Sequence, residues 1–153
     1  MSFAQEKVPG NPGPGDGVRP EIIKQHLKQL TGIRHHQSAP ASLEEAADYI
    51  RERFSAFGLE ASEQRFQALG HQNRNIIGQI EGSRPQSPVL ILGAHYDTVS
   101  RSPGADDNAS GLAVLLEAAR VLAAHPSETP ILFIAFAQEE QGCLGSRFFV
   151  NEW

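Results

Sequence analysis

Pro88-Val-Leu-Ile-Leu-Gly-Ala-His-Tyr-Asp97 is the stretch that decides the fold. Its first seven residues form an unbroken run without a charge, the pattern of a strand buried on both faces. Residues 129–137 (Thr-Pro-Ile-Leu-Phe-Ile-Ala-Phe-Ala) read the same way. Between the two runs, Leu112, Leu115, Leu116, Ala119 and Leu122 fall on one stripe, which predicts an amphipathic helix over 111–124. Strand, helix, strand in this order predicts parallel neighbours in one sheet. The expected class is α/β: a three-layer αβα arrangement around a mixed, largely parallel central sheet.

Upstream, the spacing predicts a helix over 42–57. Leu43, Ala46, Ala47, Ile50, Phe54 and Phe57 share a face, Ser42 with Glu45 reads as a capping box, and Gly58 supplies the stop. Residues 21–30 read as a shorter helix ending near Gly32, residues 59–69 and 75–81 as strands, 83–87 as a turn and 145–153 as the start of a further helix. Gly10, Pro12, Gly13, Pro14, Gly15 and Gly17 crowd the N-terminal stretch, so residues 1–20 are expected to be a flexible arm ahead of a packed unit over 21–153. A phosphate-binding loop is rejected there, because no strand precedes it and prolines interrupt it. There is no internal repeat.

The chain's 153 residues suffice for one packed core, and the 40% hydrophobic and 20% charged content is that of a globular domain. A net charge of −5 and the lack of a basic cluster argue against nucleic acid and anionic membranes as partners. The longest apolar run, 131–137, is too short to span a bilayer. Cys143 is the one cysteine, so no disulfide forms within the chain. The first residues contain no apolar core of signal-peptide length. That implies a cytoplasmic start if Met1 is native and a secreted protein if a signal was removed, so localisation stays open.

In parallel sheets, sites form beyond the carboxyl ends of the strands. His95 and Asp97 follow one such end, Glu139 and Glu140 follow the next, and Asp107 lies in the loop that opens the intervening helix. Imidazole with carboxylates suits zinc. His95 can offer a ring nitrogen at about 2.0–2.1 Å. Asp97 can orient that imidazole. Asp107 has two oxygens and can bridge two metals. Glu140 can ligate, and Glu139 can take a proton from water and pass it to a leaving amine. Alone, each cluster reads as a surface histidine, a turn or a solvated acid pair; their conjunction at successive strand ends is what points to a metal site. The competing motifs fail. There is no His-Glu-x-x-His, Asn108 stands where a Gly-x-Ser-x-Gly elbow needs glycine, and Cys143 has no partner motif. His26, His35, His36, His71 and His125 read as surface residues.

Gly93-Ala-His-Tyr-Asp97, Gly104-Ala-Asp-Asp-Asn-Ala-Ser-Gly111 and Glu139-Glu-Gln-Gly-Cys-Leu-Gly-Ser146 together resemble the di-zinc aminopeptidases of metallopeptidase family twenty-eight. The likeness extends from about Glu21 to the end and includes Asn75-Ile-Ile-Gly. It implies a zinc-peptidase fold and a hydrolase that removes N-terminal residues from peptides with two zinc ions. In that family pattern His95 and Glu140 each ligate one zinc, Asp107 bridges both, Glu139 is the general base, Asp97 orients, and the peptide after Asp107 is cis. His95–Val99 also fits the His-x-Asp-x-Val segment of related carboxypeptidases and deacylases. Their second motif ends Asp-x-Lys-Gly, unlike residues 107–111. Glutaminyl cyclases, with a shorter loop there, are a further neighbour, and a non-catalytic scaffold module is the non-enzyme alternative. The family pattern also needs a later Asp and a distant His, which residues 1–153 do not supply. The expectation is therefore a truncated unit that binds zinc weakly and is inactive alone, completed by a second chain or a C-terminal half.

Overall fold

The computed structural model describes residues 13–152. They build helix α1 (Pro20–Leu30), helix α2 (Pro40–Ala56), strands β1 (Glu60–Ala68), β2 (His71–Ile80) and β3 (Leu90–His95), helix α3 (Gly111–Ala123), strand β4 (Ile131–Phe136) and helix α4 (Leu144–Glu152). A kinked helical turn, Ala105–Ser110, joins β3 to α3. Trp153 and residues 1–12 lie outside the described residues, and so do the corresponding parts of the expected terminal helix and arm.

Among the described residues the sheet has the order β1-β2-β4-β3. It is mixed, as expected, but not largely parallel among the described residues: the one parallel pairing joins β3 to β4 from Leu90 opposite Ile131 to His95 opposite Phe136. The other two pairings are antiparallel: β1 and β2 form a hairpin through Leu69 and Gly70, both at positive φ, and β2 then runs against β4. The start of β2 therefore lies at the same sheet edge as the carboxyl ends of β3 and β4.

The buried strand β4 shows why the fold has three layers. Ile131, Phe133 and Ala135 enter the larger core with Phe54, Leu112 and Leu116, while Leu132 and Ile134 pack with Phe149 of α4. Alternation of side chains along a strand sends these two sets to opposite faces. Gly78 of β2 is where α2 comes closest, since a Cβ there would meet the Phe54 ring at 2.7 Å and Leu59 at 2.8 Å.

Four further expectations change. The apolar run 88–94 is not buried on both faces: Leu90 is 51% and Ile91 44% exposed, because β3 stands at the edge of the described sheet with β4 on one side only. The second helix starts at Pro40, with Ala39 as its uncapped N-terminal flank, so Ser42 and Glu45 lie within it and form no capping box. Proline at the first helical position is preorganised by its fixed φ. His26 is buried rather than superficial, with Nδ1 2.6 Å from the Tyr49 hydroxyl. Residues 13–19 sit on α3, where Arg120 donates to the Gly17 carbonyl at 2.6 Å and Glu117 accepts the Arg19 N–H at 2.6 Å.

Candidate metal centre

Tyr96 continues the ladder beyond β3, its N–H donating to the Phe136 carbonyl at 3.0 Å, and this carries the chain directly into Asp97. Asp97 is 1% exposed. Its Oδ1 accepts the Glu139 N–H at 2.9 Å and its Oδ2 the Glu140 N–H at 3.1 Å. One buried carboxylate thus clasps the two consecutive amides that follow β4. Residues 138–145 fold tightly behind them: the Glu139 carbonyl accepts the N–H groups of Gly142 and Cys143, and Gly145 N–H reaches back to Ala137.

His95 lies at the centre. Its Nδ1 is 3.2 Å from the Asp97 carbonyl and 3.5 Å from Asp97 Oδ1; its Nε2 is 2.9 Å from Asp107 Oδ1 and 3.9 Å from Glu139 Oε2. Asp107 reaches this position because Gly104, at φ +59°, turns the chain inward and the backbone leaves helical geometry at Asp107 and Asn108. The Asp107–Asn108 peptide is cis. Asn108 Oδ1 then accepts the Gly111 N–H at 2.9 Å and closes the turn into α3.

The charges are unbalanced. Burial alone would lower the His95 imidazole, but the hydrogen bond and charge of Asp97, with Asp107 and Glu139 adding to them, raise it to about 9. Burial and then the negative charge of Asp107 push Glu140 above the ordinary carboxylate range; Asp97 and Glu139 add to this and His95 opposes it. Four carboxylates around one imidazole make a place for a cation. When Nδ1–H donates to the Asp97 carbonyl, Nε2 is left as the free ligand atom on the side of Asp107 and Glu139. The nitrogen and oxygen donors fit zinc.

The sequence-derived candidates come together unequally. His95, Asp107 and Glu139 meet through their side chains. Glu140 joins them through its backbone N–H and its charge, and its side chain has no hydrogen bond among the described residues. The Asp107 side chain is 71% exposed, so packing does not lock its rotamer. Among the described residues, no three His, Cys, Asp or Glu side chains stand as they are in an arrangement that would hold a metal ion.

Several residues that shape the site were given no role from sequence. Asn75 accepts the Ala137 N–H at 3.0 Å and donates to the Gly145 carbonyl at 2.9 Å, tying the loop after β4 to β2. Gln138 is fully buried at positive φ, with neither side-chain polar atom partnered among the described residues. Arg34, in the segment between α1 and α2, braces the loop after β3 through Tyr96 and Thr98. The cysteine of the third cluster, Cys143, is exposed, and its Sγ lies 3.5 Å from Glu139 Oε1, a contact that pushes the thiol up.

Known proteins are similar to this chain. The uncharacterized protein YfbL of Escherichia coli (strain K12) is 34% identical over 148 residues, covering 90% of this chain and 45% of YfbL. Aminopeptidase YwaD of Bacillus subtilis (strain 168) is 49% identical over 80 residues, covering 52% of this chain and 18% of YwaD. The chain therefore spans less than half the length of either relative. The solved structure of BSAP, a zinc aminopeptidase from Bacillus subtilis, superposes with a TM-score of 0.83 over 89% of this chain and 65% of that one, at 18% identity, a likeness of fold. The model of peptidase family M28 matches residues 75–153, more than half of the chain and every residue of the three clusters, and the chain belongs to that family.

Proposed function

We propose that the whole protein of which these residues are part is a zinc-dependent aminopeptidase, with two zinc ions held by His95, Asp107 and Glu140 together with ligands from the rest of the protein. The observation that carries this is the clasp at Asp97. Asp97 orients His95 through its backbone carbonyl, and its buried carboxylate, holding the Glu139 and Glu140 N–H groups, brings the acid pair to the imidazole and Asp107. The names of YwaD and BSAP support the same reading.

Zinc bound there supplies Lewis-acid polarisation of a peptide carbonyl and makes a nearby water acidic. The chain's own groups do the rest. Glu139 lies on the imidazole side of the site, 3.9 Å from His95 Nε2, and its carboxylate accepts the proton of the attacking water at Oε2. The same carboxylate returns that proton to the departing amine. Asp97 holds the backbone of Glu139 still while this happens. Asp107 and Glu140 bring the negative charge that retains the metals against water.

The test is a substrate panel on the full-length, zinc-loaded protein: aminoacyl-anilides, N-acyl amino acids and peptides with N-terminal glutamine. Anilide hydrolysis with free product amine is expected. Exclusive deacylation, exclusive cyclisation of glutamine, or no turnover with no stoichiometric zinc would each replace the aminopeptidase reading, the last with a scaffold.

A further inference from the structure

We propose that Arg34 is a positioning residue of the metal centre, holding in one register the two backbone segments that carry His95 and Asp107. The inference rests on the metal-site reading above.

Arg34 lies far from the three clusters in sequence, between α1 and α2, and is 2% exposed. Its guanidinium forms no ion pair among the described residues; it is spent on backbone carbonyls. Nε donates to the Tyr96 carbonyl at 2.7 Å, the peptide between His95 and Asp97. Nη2 reaches the Gly104 carbonyl and Nη1 the Pro103 carbonyl, both at 3.4 Å, at the start of the loop that carries Asp107. Nη1 also donates to the carbonyls of Gly32, at 2.7 Å, and Leu30, which anchors the arginine to its own segment. The backbone repeats the connection: Arg34 N–H donates to Thr98 Oγ1 at 2.9 Å, Thr98 N–H donates to the Arg34 carbonyl at 3.0 Å, and Gly32 N–H donates to Pro103 at 2.8 Å.

Two details tie this bracket to the ligands rather than to stability alone. The Gly104 carbonyl that receives Nη2 also accepts the Ala109 N–H at 2.9 Å, so the same oxygen closes the turn in which Asp107 sits. The junction has no slack: a Cβ on Gly104 would collide with Thr98 and lie 3.1 Å from Arg34 Nη2. A planar fork of five N–H donors can serve three segments at once. An ammonium group, whose three donors share one atom, does not span the acceptors that Nε, Nη1 and Nη2 reach separately. The backbones that carry His95 and Asp107 are thereby held in register by a residue that touches neither side chain.

The experiment compares wild-type full-length protein with Arg34→Lys. Zinc affinity is measured by chelator competition, the cobalt(II)-substituted absorption spectrum is recorded, and the thermal midpoint of the metal-free protein is measured. Loss of support around ligands typically weakens metal binding 10–100-fold. Arg34→Lys is expected to weaken zinc by about that factor and to shift the cobalt bands while the metal-free protein remains folded at the assay temperature. Unchanged affinity and spectrum, with only a lower midpoint, would overturn the proposal and leave the peptidase reading standing. A wild-type protein that holds no zinc would end both. If Arg34→Lys does not fold, Thr98→Val, which removes only the hydroxyl that receives the Arg34 N–H, gives the same comparison. A smaller loss of affinity supports the bracket and wild-type affinity refutes it.

Discussion

Asp97→Asn is the substitution most sensitive to how this site is built. The two side chains have nearly the same shape, so packing is preserved. The carboxylate accepts from Glu139 N–H at 2.9 Å and Glu140 N–H at 3.1 Å in a site that is 1% exposed. An amide can accept only one of these and presents its own NH₂ to the other. A hydrogen bond to a charged group contributes about 1.5–3 kcal/mol, and a buried donor left unpaired costs about 1–3 kcal/mol. The two terms overlap, so the expected destabilisation is about 2–4 kcal/mol. With a urea m-value of about 1–3 kcal/mol/M, the midpoint of the full-length protein should fall by about 0.7–4 M at unchanged m. Turnover should fall as well, because the Glu139 backbone loses its anchor, whereas the His95 Nδ1 contact with the Asp97 carbonyl does not depend on the substituted group. A midpoint within about 0.3 M of wild type would show that the carboxylate does not organise the acid pair, and the clasp would have to be abandoned.

Two further substitutions probe the frame. Gly78→Ala pushes a methyl into Phe54 and Leu59, and overpacking of this kind costs about 1–3 kcal/mol, offset by up to about 1 kcal/mol of unfolded-chain entropy. Calorimetry should therefore show a drop of several degrees, and an unchanged midpoint would mean that α2 is free to move off β2. Glu117 is held below its ordinary range by its hydrogen bond with Arg120 and the Arg19 N–H, despite burial. A carboxylate depressed on folding stabilises fully above its unfolded value of roughly 4.3 and loses that contribution as pH falls through the lower folded value. Glu117→Gln should accordingly be less stable than wild type at neutral pH and converge with it on acidification below about pH 4. A difference that stays constant across that range would exclude the ion pair as its source.

The meeting of His95, Asp97, Asp107 and Glu139 at one end of the sheet was legible because these side chains follow apolar runs, and the period of those runs reports strands and helices without knowledge of their partners. How many neighbours a strand has is not written in its own residues. The run ending at Ala94 looks like a central strand, yet Leu90 and Ile91 are exposed at an edge. Ser42 and Glu45 have the spacing of a cap, but Pro40 begins the helix two residues earlier and overrides them. Arg34 carries no motif, and Asn75, though part of the Asn75-Ile-Ile-Gly likeness, shows no role in sequence, because the contacts that tie both to the site are to main chain. The Tyr96 carbonyl lies 62 positions from Arg34, and the Gly145 carbonyl 70 from Asn75. Only the folded chain brings those atoms within reach. His26 was misplaced for a related reason: its polarity suggested solvent, and the Tyr49 hydroxyl that pairs with its Nδ1 is in another helix.

The most direct test of the metal-peptidase reading is zinc content and turnover measured on the same preparation of full-length Glu139→Gln. Glu139 is assigned to proton transfer and not to metal binding, so the variant should retain wild-type zinc stoichiometry while anilide hydrolysis falls by about 100- to 10,000-fold. Turnover at the wild-type level with zinc intact would contradict the assignment of Glu139 as the base. Loss of zinc together with activity would contradict the division of labour between Glu139 and Glu140.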